Sequence, residues 1–156
     1  MSGGPEGARL RAVLDTNILV RMVITPDGLT GRLRAPLGRG AFTLVTTEWI
    51  LAELREVLGR RKMRRYITLE DVAIYFEVLR LVAEILPGDF DVDLVPRDLE
   101  DNPFVACALE GRVSYLVSGD EDHLQSLGNV RVAGYEVVHV VSAPAFLRIL
   151  RRESLL

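Results

Sequence analysis

Asp15, Glu53, Asp101 and Asp120 are the side chains whose type and placement in this sequence suit catalysis. Val13-Leu14 leads directly into Asp15. Leu116-Val117-Ser118-Gly119 leads into Asp120, and Leu94-Val95 leads through Pro96 to Asp98 and then to Asp101 at a helix start. Each approach is a short apolar run that reads as a strand, and in open parallel sheets ligands bind at the carboxyl ends of the strands. Glu53 comes from a helix. Ile50, Leu51, Leu54, Val57 and Leu58 make one apolar stripe, and at roughly 100° per residue Glu53 falls about 40° beyond the edge set by Val57. Glu48 and Glu56 point further away, which leaves Glu53 able to lean over the sheet.

Four ionised carboxylates brought together repel one another and need cations. A set of hard oxygen donors without His or Cys favours Mg²⁺ or Mn²⁺ over zinc. Such ions polarise a phosphate oxygen and lower the pKa of bound water, which is the chemistry phosphodiester hydrolysis requires. Each residue alone has an ordinary structural reading. Asp15 and Asp101 suit helix N-caps, Glu53 suits a solvated helix face, and Asp120 with Asp122 suits a turn after Gly119. Joint placement at strand ends is what favours a site.

The elements that must position these residues alternate between strand and helix. Strands are expected at 11–14, 41–45, 92–95, 115–117 and 137–141. Helices are expected from about Ile18 to Val23, over 30–37 ended by Pro36 and Gly38, over 48–58 capped by Thr46 or Thr47, over 69–86 opened by Thr68, over 102–111 with Pro103 at its first position, and over 144–152. This pattern predicts an α/β fold with a mainly parallel central sheet. The Gly-rich stretch at 1–10 reads as a flexible tail and 11–156 as one domain. No apolar run approaches the ~18 residues of a membrane span, and no signal peptide is visible, so the cytoplasm is the expected location.

The single cysteine, Cys107, lies in an apolar run and is expected to be buried packing. Nineteen basic against 22 acidic residues give a net charge of −3, not the overall signature of a nucleic-acid binder. The basic residues do cluster, at Arg60, Arg61, Lys62, Arg64 and Arg65 beside Tyr66. They suit RNA phosphates and a stacked base, or equally a solvated helix end. Trp49 and Phe146 read as packing residues, His139 as structural and His123 as a surface or turn residue.

Five segments in order resemble the PIN-domain family. Val13 to Val20 is similar to its opening motif, and Ile50-Leu51-Ala52-Glu53-Leu54 with Val57-Leu58 to its acidic helix. Asp98-Leu99-Glu100-Asp101-Asn102 resembles the D-x-x-D-N segment of a bacterial and archaeal branch. Val117-Ser118-Gly119-Asp120-Glu121-Asp122-His123-Leu124 resembles V-T-G-D-x-D-L, with His123 inserted and Ser118 in place of Thr. Ala143-Pro144-Ala145-Phe146-Leu147 is similar to the closing P-x-x-F-L element, one residue shorter. The resemblance implies a three-layer α/β/α sandwich and a ribonuclease dependent on Mg²⁺ or Mn²⁺. It implies metal ligation by Asp15, Glu53, Asp101 and Asp120, with Thr16, Asn17, Asp98, Ser118 and Asp122 as auxiliaries. It also implies RNA as substrate, an antitoxin protein as a possible partner, and a homodimer or higher homo-oligomer. The stretch 128–136 is longer than the family pattern leads one to expect before the last strand.

Competing chemistries fit less well. There is no G-x-x-x-x-G-K-[ST] loop and no G-x-G-x-x-G. A haloacid-dehalogenase type phosphatase wants a second Asp where Asn17 stands, and a phosphotransfer receiver wants a lysine near the sheet, whereas Lys62 is the only lysine. The rival of a different class is a catalytically silent PIN-like module that binds RNA or a partner protein.

Overall fold

The computed structural model describes residues 10–88, 102–119 and 128–153. These form six strands, β1 (Leu10–Leu14), β2 (Phe42–Thr47), β3 (Glu84–Leu86), β4 (Tyr115–Val117), β5 (Asn129–Val130) and β6 (Val138–Val141). The helices are α1 (Thr16–Ile24), α2 (Arg34–Gly38), α3 (Glu48–Gly59), α4 (Leu69–Val82), α5 (Pro103–Glu110) and α6 (Ala143–Arg152), with 3-10 turns at Thr30–Leu33 and Arg61–Arg65. The strand order is β3-β2-β1-β4-β6-β5. All pairings are parallel except that of β5 with β6. The expected α/β/α sandwich on a mainly parallel sheet is the fold. The expected tail at 1–10, apart from Leu10, and the expected strand at 92–95 lie outside the described residues.

Residues of a strand three apart point to opposite faces of the sheet. In β2, Phe42 meets Phe146 of α6 edge-on, with ring centroids 5.1 Å apart. Val45 faces the other way, toward α5. A β-carbon on Gly111, the cap of α5, would stand 2.9 Å from its Cγ1, so that helix end lies closer to β2 than a side chain there would permit. Both layers therefore close on strands whose interior residues Ala12, Val13, Leu14, Leu44, Val45, Leu116 and Val117 are fully buried.

Three expectations about boundaries need correction. The helix opened by Thr68 ends at Val82, and Glu84-Ile85-Leu86 instead pairs with Val45, Thr46 and Thr47 of β2. No breaker marks this change in the sequence; the open edge of β2 overrides helix propensity. The segment expected as one helix over 30–37 is a 3-10 turn running into α2, with Pro36 inside the helix rather than ending it. Its position in the first turn is one where the missing N–H is not needed. The long stretch at 128–136 contains β5, an antiparallel edge strand, where Asn129 lies 2.8 Å from Nδ1 of His139.

Candidate metal centre and active site

The chain leaves β1 toward β2 on one side and returns to β4 on the other, so the direction of winding reverses between β1 and β4. Such a switch point opens a crevice at the carboxyl edge of the sheet. Leu14 pairs with Val117, and the next residues, Asp15 and Ser118, stand side by side at that edge. Asp15 is 3% exposed. Its Oδ1 accepts from the Ile18 amide at 2.8 Å and caps α1, while Oδ2 accepts from the Ser118 hydroxyl at 2.6 Å. Its own amide donates to Val117 O at 3.0 Å, which fixes the backbone. The ordinary capping reading of Asp15 is therefore correct, and it coexists with a buried carboxylate held rigidly at the crevice.

Thr16, next along the chain, is buried, and its hydroxyl has no hydrogen-bond partner among the described residues. Asn17 is exposed in the first turn of α1. Arg21, one turn further on and also exposed, was not singled out from the sequence. A β-carbon on Gly119 would lie 3.5 Å from its Nη1, which places the guanidinium against the chain just after Ser118. The signal was present, since Asn17 and Arg21 are four apart on one helix face.

Glu53 lies on α3, whose N-cap Thr47 ends β2 at the same edge. Burial along α3 follows the wheel: Ile50, Leu51, Leu54 and Leu58 are buried, Glu53 is half-buried, and Glu48 and Glu56 are exposed. Glu48 is paired with Arg80 of α4 at 2.7 Å, and that hydrogen bond holds its carboxyl below the ordinary value. Glu56 pairs with Arg60 at 3.6 Å. Neither is a free ligand, which leaves Glu53 as the carboxylate of α3 on the flank opposite α4. α5 runs back from this edge, because its capping carbonyl, Gly111 O, is bonded by Arg11 at the start of β1. Asn102, the N-cap of α5, accepts from the amides of Phe104 and Val105 at 3.0 and 3.1 Å.

Asp98, Asp101, Asp120, Asp122 and His123 lie outside the described residues. Among the described residues no group of three His, Cys, Asp or Glu side chains gathers. The donors that are described fit a hard cation: the Asp15 and Glu53 carboxylates, the buried unpartnered Thr16 hydroxyl and the Ser118 hydroxyl. Cys107, a soft donor among the described residues, is placed elsewhere. Cys107 is buried against Val45, and burial pushes its thiol up to about 12, so it is packing and neither ligand nor nucleophile.

The basic cluster divides in two. Arg60, Arg61, Lys62 and Arg65 are exposed on the 3-10 turn and its cap. Arg64 is not: its guanidinium donates to the Leu58 carbonyl that α3 leaves open, and its Nε and Nη1 are buried. The reading of all five as one solvated or RNA-facing group is corrected for Arg64, which caps α3. Lys62 and Arg65 lie beside Ile24 and Thr25, at the far end of α1 from Asp15. α1 is nine residues, about 14 Å, so the cluster stands about one helix length from the crevice. Trp49 also departs from its expectation as a packing residue, being 54% exposed, whereas Phe146 is wholly buried.

Similarity to known proteins bears on the family of this fold. An uncharacterized protein of Methanocaldococcus jannaschii is 25% identical over 118 residues, covering 75% of each chain. The family model described as the PIN domain matches residues 11–122. That span opens at β1, carries Asp15, Glu53 and Ser118 across the switch point, and takes in both acidic segments that follow the D-x-x-D-N and G-D patterns. This chain belongs to the PIN-domain family, whose members are in general nucleases.

Proposed function

We propose that the protein is a ribonuclease dependent on Mg²⁺ or Mn²⁺ that hydrolyses phosphodiester bonds of RNA. The observation that carries this reading is the rigid, buried Asp15 carboxylate at the β1/β4 switch point, flanked by Ser118 and by the unsatisfied Thr16 hydroxyl. Asp15 and Glu53, with Asp101 and Asp120, would hold the ion; Thr16, Asn17, Asp98, Ser118 and Asp122 would orient ligands and water. When bound, the ion supplies charge for the anionic transition state and a more acidic water. The chain's own part is to keep Asp15 fixed by two hydrogen bonds, to hold Arg21 where a phosphate can meet it, and to offer Arg60, Arg61, Lys62 and Arg65 to the backbone of the RNA further along.

A protein partner of the antitoxin kind belongs to the same reading. Ile74, Val78 and Leu81 of α4 are exposed, Leu81 at 84%, and a groove of about 670 Å³ runs between α4, α1 and α2 with Arg34 and Asp71 at its rim. Apolar surface of that kind is ordinarily covered by another protein. Among the described residues no helix is long and apolar enough to cross a membrane.

The capping role of Asp15 is the one observation that favours the rival, a silent module that keeps the carboxylate for structure alone. Incubating single-stranded RNA with the pure, metal-stripped protein decides between them. Cleavage is expected only when Mg²⁺ or Mn²⁺ is returned. RNA that is bound with metal present and stays intact would favour the silent module.

A further inference from the structure

Trp49 is a large apolar side chain left 54% exposed at the first turn of α3. It stands four residues before Glu53, so the two share one flank of the helix. The other flank is occupied by α4, through Glu48 with Arg80 and through Arg55, whose guanidinium lies 4.3 Å from the Phe76 ring centre. The Trp49 flank faces α5 instead. Its indole meets Phe104 edge-on, with centroids 6.4 Å apart and planes at 79°. Phe104 is the second residue of α5, two after the Asn102 cap at the carboxyl edge. The ring is thus propped by a half-buried neighbour without being covered, and it borders the edge at which Asp15 stands.

An aromatic residue packed on one neighbour and still more than half exposed suits a flat partner. A nucleobase is such a partner, and every base offers a π face whatever its sequence. We propose that Trp49 is a stacking platform that takes a base of the RNA strand next to the bond being cut. The inference rests on the ribonuclease reading, and it adds a subsite that recognises bases beside one that recognises phosphate. Stacking on one aromatic residue changes affinity by about ten-fold or more.

Trp49 is the only tryptophan, so indole fluorescence reports on it alone. The protein is titrated, with Ca²⁺ replacing Mg²⁺, with an end-labelled single-stranded RNA and with an abasic strand of equal length. Label anisotropy gives the affinity. The base-bearing strand is expected to quench the indole and to bind about ten-fold more tightly than the abasic one. Trp49→Ala should bind both strands alike, and Trp49→Phe should recover most of the difference. Unchanged indole emission at saturating RNA, no RNA binding, or a base preference that survives in Trp49→Ala would overturn the proposal and leave the indole as a surface for a protein partner. Cleavage of the same strand by wild type in Mg²⁺ is scored separately. Quenching without cleavage would keep the platform and remove the nuclease reading, and cleavage without quenching would do the reverse.

Discussion

Asp15→Asn is expected to lower kcat/KM for RNA by on the order of 100-fold or more while leaving the fold in place. The loss follows from removing one negative charge where several kcal/mol of transition-state charge stabilisation is organised. The fold should hold because Asn retains a side-chain oxygen for the Ile18 amide and is as good an N-cap as Asp. The Ser118 hydroxyl can rotate to accept from the new amide instead of donating to Oδ2. Neutralising one of several neighbouring carboxylates also relieves repulsion in the metal-free protein, so its thermal midpoint should stay level or rise. Activity and melting of the same preparation read both halves. Full activity would remove Asp15 from the chemistry, and a marked fall in midpoint with metal absent would mean that the fold needs its charge, beyond the cap that Asn preserves.

The largest effect on stability is expected from Phe146→Ala. Phe146 is wholly buried, meets Phe42 edge-on at 5.1 Å and lies 5.8 Å from Tyr115, so one ring ties α6 to both β2 and β4. Removing it opens a cavity between layers that cannot close without moving a strand, at a cost of about 3–5 kcal/mol. For a domain of this size the thermal midpoint should fall by on the order of 10 °C. Because β4 leads directly into Ser118 and so positions the second hydrogen bond to Asp15, activity should fall before global melting does. A loss under about 1 kcal/mol would mean that α6 is not part of the cooperative core.

What the sequence made legible was whatever a local pattern encodes. The apolar run before Asp15, the stripe on α3 with Glu53 at its margin, the Pro103 helix and β4 all appear where their periodicity puts them. The misreadings share one cause, which is that a distant partner decides. β3 reads as the end of α4 until β2 is beside it, and β5 reads as loop until β6 offers a register. Arg64 counts with its basic neighbours until the open carbonyl of Leu58 claims it. The site divides the same way. Asp15 beside Ser118 follows from two strand ends in register, but the approach of Arg21 to Gly119 and the exposure of Trp49 depend on how helices pack across the edge. Propensity along the chain carries no information about such contacts.

If Asp15 and Glu53 belong to one divalent-cation site, as proposed, Mn²⁺ binding reports it without reference to any RNA. Metal-free wild type, Asp15→Asn and Glu53→Gln are titrated with Mn²⁺, and free ion is followed by electron paramagnetic resonance. Wild type is expected to bind Mn²⁺, with Mg²⁺ competing, and each variant to bind at least about ten-fold more weakly with its circular dichroism unchanged. Binding by both variants as tight as that of wild type would mean that neither carboxylate holds the ion.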